Sequence, residues 1–348
     1  MKAMTSLERV LATLGHREPD RVPLFLLLTM HGAKELGLGI KEYFSKAEHV
    51  VEGQMRMLEK YGHDCLYPFF YAPVEVEAWG GEVVYVDDGP PNSGQTCIAS
   101  PEQIAGLTPP DVCNTPCLRK VLDAVSGIKA RVGDAAPIVG VVMSPFSLPV
   151  MQMGFGPYLD LIYEQPKVFW RLMRLNEAFC VDWANAQLAA GATAICYFDP
   201  VSSPSIVPRE LYLETGFVVA KRMLASIKGP VATHLASGRC LGISDLLPQT
   251  GTAVVGVSAE EDLTAVKRAL GGKVTILGNL NGVAMRNWTV RDAEDAVKTA
   301  IFQAGSGGGF ILGDNHGEIP WQVPEDVLLA ISEAVRTWGR YPLARTHA

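Results

Sequence analysis

Apolar residues recur along this chain in two rhythms. Leu7, Val10, Leu11 and Leu14 fall on one face of a 3.6-residue helix, with Thr5 and Ser6 placed to cap it. Pro19-Asp20 ends that helix. Val22–Leu28 (VPLFLLL) then runs apolar without a break, the pattern of a strand buried on both faces. A helix is expected at about Lys46–Tyr61, with Val50, Val51, Met55 and Leu58 as its apolar face. Asp64–Phe70 reads as the next strand. Beyond Pro73 the text changes. Val74–Trp79 and Glu82–Asp87 read as a β-hairpin turning at Gly80-Gly81, and Pro- and Gly-rich loops follow as far as Cys117. No sustained core pattern appears there, so residues 73–117 read as an insertion within one domain spanning 1–348.

From there the alternation is regular. Ile138–Met143, Thr193–Phe198, Val231–His234, Ala253–Val257, Val274–Gly278 and Gly309–Gly313 are strand-length apolar runs. Amphipathic segments of helical length, such as Val168–Ala189, Arg209–Ile227, Ala259–Leu270 and Val290–Ala304, separate most of them. Unbroken apolar strands alternating with helices imply a parallel sheet covered by helices. With the two early runs the count reaches about eight, as a closed (β/α)8 TIM barrel requires. A doubly wound open sheet is the other arrangement, but no G-x-G-x-x-G follows the first strand.

Composition narrows the function. A net charge of −7 and the absence of any Lys/Arg run argue against nucleic acid as a partner. Seven cysteines, an odd number in a chain of 348 residues, point to reduced thiols and a cytoplasmic setting. The N-terminus lacks the apolar stretch of a signal peptide, and Val22–Met30 is too short to span a bilayer. A soluble monomer or homodimer is expected.

In a parallel barrel, chemistry gathers where strands end. Reading past each run gives Thr29-Met30-His31, Tyr71, Ser144, Asp199, His234, Ser258-Glu260, Asn279-Asn281 and Asp314-Asn315-His316. His234 closes its strand, Cys240 follows six residues on, and His316 follows the last strand. Imidazole and thiolate are ligand types that zinc prefers. The alternative is a hydrogen-bonded strand-end histidine and a buried cysteine. Asp199 reads as a ligand, a general base or a helix cap, and Asp314 or Glu318 as a group fixing the His316 tautomer. Gly305–Gly309 has no Lys-Ser/Thr and reads as a flexible connection. Cys113 and Cys117 have no partner pair. Met143, Met151, Met153 and Phe155 form either a pocket wall or ordinary core.

These residues together resemble the uroporphyrinogen decarboxylase superfamily. The matching stretches are Arg21-Val22-Pro23, Gly62-His63-Asp64, Asp199-Pro200 with Pro208-Arg209-Glu210, the strand-end His234, Gly278-Asn279-Leu280-Asn281, and Gly313–Pro320 with Pro324-Glu325-Asp326-Val327. Decarboxylases of that superfamily carry Arg-Gln-Ala-Gly-Arg after the first strand, where arginines grip the substrate's carboxylates. Here Leu28-Thr29-Met30-His31-Gly32-Ala33 stands instead. Another branch contains corrinoid-dependent methyltransferases, such as methylcobamide:coenzyme M methyltransferases, which bind zinc through His-x-Cys and a later Cys. His234 matches that histidine, Ala236 stands at the first cysteine and His316 at about the second.

The resemblance therefore implies a methyltransferase moving a methyl group between a small substrate, a methyl ether or thiol, and a corrinoid carried by a partner protein. Zinc held by His234, His316 and Cys240 would assist, with Asp199, Asp314 and His31 as catalytic groups. Tyr71, Met143, Ser144, Asn279 and Asn281 would bind substrate. A decarboxylase using Arg239 as anchor, and a binding barrel without catalysis, are the alternatives.

Overall fold

The computed structural model describes residues 3–343. Its strands are β1 (Leu24–Phe25), β2 (Val83–Val84), β3 (Asn92–Ser93), β4 (Val139–Met143), β5 (Ala194–Phe198), β6 (Val231–His234), β7 (Val254–Gly256), β8 (Thr275–Leu280) and β9 (Phe310–Asp314). Seven of them form one sheet in the order β1-β9-β8-β7-β6-β5-β4, every neighbour pair parallel. Parallel neighbours need helical returns. Helices at Pro116–Val132, Pro166–Ala190, Gly216–Ser226, Leu263–Leu270, Val290–Ala304 and Glu325–Trp338 supply or flank them.

The sheet curls on itself. Phe25 from one edge and Val139 from the other share an interior cluster with Leu27, Cys65, Tyr67, Val141, Cys196, Val254, Leu277 and Ile311. Residues alternating with these face the surrounding helices. Burying side chains such as Phe169, Phe179 and Trp183 there contributes about 1.5–3 kcal/mol each. The first helix, Ser6–Leu14, begins with the expected cap: Thr5 accepts the Glu8 N–H at 3.1 Å and Glu8 accepts the Thr5 N–H at 2.8 Å. It places Val10 under the curled sheet.

The expected eighth strand, Asp64–Phe70, is not formed. Leu66 makes one parallel bridge to Ile138. The Asp64 N–H reaches Leu24 O at 2.6 Å, and the Val139 N–H reaches Leu66 O at 2.9 Å, so the segment touches both sheet edges. Above Leu66 side chains complete the pairing. Gln187 accepts from Val141 N–H at 2.9 Å and donates to Val141 O at 2.7 Å. Glu75 accepts from Met143 N–H at 2.8 Å. Gln54 donates to Leu28 O at 2.8 Å and accepts from Tyr67 N–H at 3.0 Å. Buried edge groups thus find partners without a continuous strand. The architecture is a curled, barrel-like seven-stranded α/β sheet.

The expected hairpin is also corrected. Val74–Ala78 is a short helix, and antiparallel pairing is limited to β2 with β3. The Glu75 carboxylate turns inward to the edge of β4, which an outward-facing hairpin position would not allow.

Two of the family-like stretches have structural roles at the opposite end from the strand termini. Asp64 is fully buried and accepts from Arg9 at 2.6 Å, Arg21 at 2.6 Å, the Leu24 N–H at 2.8 Å and Ser6 at 2.8 Å. Arg9 also pairs with Asp20 at 2.7 Å. Among the described residues, no helix is long and apolar enough to cross a membrane.

Candidate active site at the strand carboxyl ends

His234 ends β6 and is buried. Phe198, its register partner on β5, lies against the ring at a centroid distance of 5.6 Å and an interplanar angle of 24°. Its partner on β7 is Gly256, and a Cβ there would sit 2.5 Å from the imidazole Cδ2. Gly317, at φ +86°, closes the next side: its Cβ would meet Phe198 at 3.1 Å and His234 Cε1 at 3.6 Å. The ring is thus fixed by packing. The Ala236 N–H donates to Nδ1 at 3.0 Å, and Nε2 has no partner. With Nδ1 accepting, the neutral ring carries its proton on Nε2. Burial, with the neighbouring His316, pushes its pKa down to about 4.

Asp314 ends β9 and its Oδ2 accepts the N–H groups of His316 at 2.8 Å and Gly317 at 3.1 Å, while Oδ1 has no partner. Burial raises its pKa to about 6 against those bonds. His316 contacts the Ser237 hydroxyl through Nδ1, and its Nε2 is buried without a partner. Glu318 receives the hydroxyl of Thr29, the residue shortly after β1. Burial pushes Glu318 up to about 7, and the nearby Asp314 charge adds to the rise. His31 lies buried against Trp321 at a centroid distance of 6.1 Å, and burial lowers its pKa to about 3. Residues far apart in sequence thus gather around one rim: Thr29 and His31, His234 and Ser237, and Asp314 to Trp321.

Sequence reasoning placed His234, His316, Asp314 and His31 here. It noted Thr29 without a role and Glu318 only as an alternative to Asp314 for fixing the His316 tautomer, and it missed Ser237, Phe198 and Trp321. Glu318 carried one signal, its position beside His316. Its partner lies 289 residues away.

Other expected site residues have different work. Asp199 is buried with both oxygens taken by serine hydroxyls: Ser144 and Ser147 on Oδ1, Ser202 on Oδ2. Ser144 is thereby committed to Asp199. Met143 is buried, its N–H held by Glu75. Tyr71 donates to Glu77 at 2.7 Å and packs among Phe44, Phe70 and Tyr85. Asn279 donates to Ser258 O at 2.8 Å and Glu261 O at 3.0 Å, and Asn281 accepts the Ala284 N–H at 3.0 Å. These amides brace loops.

The zinc set does not assemble. Cys240 is buried, its N–H directed to the Glu261 carboxylate at 2.9 Å. Burial and the Glu261 charge hold its thiol well above the usual range. His234 would bind a cation through Nε2 only with a proton on Nδ1, which would then face the Ala236 N–H. Among the described residues no three His, Cys, Asp or Glu side chains are placed to hold one ion. The residues present do not fit zinc.

Comparison with known proteins agrees with the fold. The family model for uroporphyrinogen decarboxylase (URO-D) matches residues 5–338. The uroporphyrinogen decarboxylase of Xylella fastidiosa is 24% identical over 96% of this chain and 99% of its own length. That of Idiomarina loihiensis is 23% identical over 95% and 96%. Among solved structures, a methyltransferase from Methanosarcina mazei superposes with a TM-score of 0.87 at 20% identity, covering 96% of this chain and 99% of that one. A B12-independent methionine synthase from Shewanella sp. W3-18-1 gives 0.56 at 14% identity, covering 92% and 95%. The chain belongs to the uroporphyrinogen decarboxylase (URO-D) family.

Proposed function

We propose that this chain is a methyltransferase that moves a methyl group between a small methyl ether or thiol and a corrinoid on a partner protein. One observation carries the reading: the strand-end mouth is built from two buried acids and neutral imidazoles, with no arginine in the stretch after β1. A tetrapyrrole with many carboxylates would find no guanidinium partner in that stretch. Arg239, the one candidate anchor, pairs with Glu260 at 2.8 Å. The likeness in fold to a methyltransferase, across nearly the whole chain, supports the same choice.

In this reading the partner's corrinoid supplies the centre that accepts or donates the methyl group. The chain's own residues manage the substrate's heteroatom. The Nε2–H of His234 donates to it. Glu318, with a pKa of about 7 and thus partly protonated near neutral pH, gives it a proton as the methyl leaves, or takes one in the reverse direction. Phe198, Gly256 and Gly317 keep the imidazole aimed.

The test mixes purified protein with a cob(I)alamin-type corrinoid protein and a panel of methyl ethers and methyl thioethers, following cobalt absorbance. Methylation of the corrinoid with release of the demethylated product is expected. A parallel incubation with uroporphyrinogen is expected to release no carbon dioxide. Stepwise carbon dioxide loss there, with no corrinoid change, would replace this reading with decarboxylation.

A further inference from the structure

Beneath His234 the curled sheet is not filled. A cavity of about 70 Å³ runs inside it, lined by His234 and Tyr67 at the strand-end side and by Val10 and Leu14 at the other. Its walls are apolar, among them Leu27, Val139, Leu277 and Ile311. It exists because alanines stand at inward positions where large branched side chains would close the interior. Ala232 is two residues before His234 on the same strand, and Ala194, two residues before Cys196 (the β5 partner of Ala232), also lines the cavity. A barrel interior is ordinarily packed by bulky residues. An apolar cavity of this kind stays dry and accepts small apolar guests.

We infer that this cavity is a binding site for a short apolar group, the tail of the substrate whose heteroatom His234 holds. The cavity itself rests on geometry. Its assignment to the substrate rests on the methyl-transfer reading. A corrinoid on a separate protein can approach only from outside, so the transferred methyl must point out of the mouth. The heteroatom then lies at His234 and the acids, and the remainder points inward. His234 borders both spaces. At roughly 30 Å³ for a water-sized unit, the cavity takes about two or three carbon atoms. The substrate class is therefore a methyl ether or thioether with an uncharged ethyl- to propyl-sized tail.

Xenon is the probe for the site, and Ala232→Val is the variant. Xenon titration followed by NMR should show saturable binding to the wild-type protein and none to Ala232→Val, which should unfold as cooperatively as wild type. Absence of xenon binding to the wild type, or equal binding to the variant, would overturn the site whatever the reaction. A second series compares methyl ethers of increasing tail length with a corrinoid protein. Wild-type kcat/KM should rise about fourfold per methylene, up to the cavity's capacity, and the rise should vanish in Ala232→Val. A length dependence that survives the substitution would overturn the assignment to the tail. Xenon binding in a protein that transfers no methyl group would support the site and reject the proposed function.

Discussion

The Thr29 hydroxyl donates to the carboxylate of Glu318, joining the segment after the first strand to the loop after the last. The bond holds an acid whose pKa burial has pushed to about 7 beside Asp314 at about 6. Two acids so placed can hold a proton where an exposed carboxylate would have lost it.

The first prediction concerns that proton. If Glu318 acts as the acid in demethylation, kcat/KM should be highest below about pH 7 and fall as pH rises through the Glu318 pKa. Glu318→Gln should lower kcat/KM by about 10²–10⁴. It should also remove that descending limb, leaving substrate binding largely intact. A pH profile unchanged in Glu318→Gln would exclude it as the acid.

Gly256→Ala tests the seating of His234. A Cβ 2.5 Å from the imidazole must displace the ring. Overpacking of this kind costs roughly 1–3 kcal/mol. Urea unfolding should register that loss, and activity should fall further than stability does. Full activity in Gly256→Ala would show that the ring's position is unimportant.

Asp64→Asn should weaken the fold without touching the rim. It leaves Arg9 and Arg21 without the buried carboxylate they share. Removing one partner of a buried charge cluster costs on the order of 3–5 kcal/mol. A midpoint of chemical denaturation within experimental error of wild type would contradict the structural role of this cluster.

Glu75 should make stability depend on pH. Burial raises its pKa from 4.5 to about 8. The folded chain therefore keeps a proton that the unfolded chain releases between those values. Its contribution is fully present below about pH 4.5 and is lost as pH rises toward about 8. The unfolding free energy should decline across that window, and the decline should be shallower in Glu75→Gln. Parallel slopes in the two proteins would show that Glu75 is not the group responsible.

Metal analysis checks the misfit of zinc. Protein purified without chelator should contain well under one zinc per chain, and His234→Ala should not change that content. One tightly held zinc, lost in His234→Ala, would reverse the conclusion drawn from the Nδ1 bond to Ala236.

What the sequence determined by itself is the strand framework. Ile138–Met143, Thr193–Phe198 and Val231–His234 lie between an interior and a layer of helices, so burial on both faces left unbroken apolar runs of strand length. Their ends located His234 and Asp314 for the same reason. Only the tertiary structure decided the rest. Val74–Trp79 alternates like a strand, yet it forms a helix because Glu75 is drawn to the open edge of β4. Asp64–Phe70 is apolar like a strand, yet it pairs at one residue because Gln54 and Gln187 reach the groups that a ladder would use. Asp199, Asn279 and Asn281 stand at strand ends, yet neighbouring hydroxyls and backbone groups occupy them. Period and composition report which faces are buried. They do not report which polar group, brought from a distant part of the chain, satisfies another.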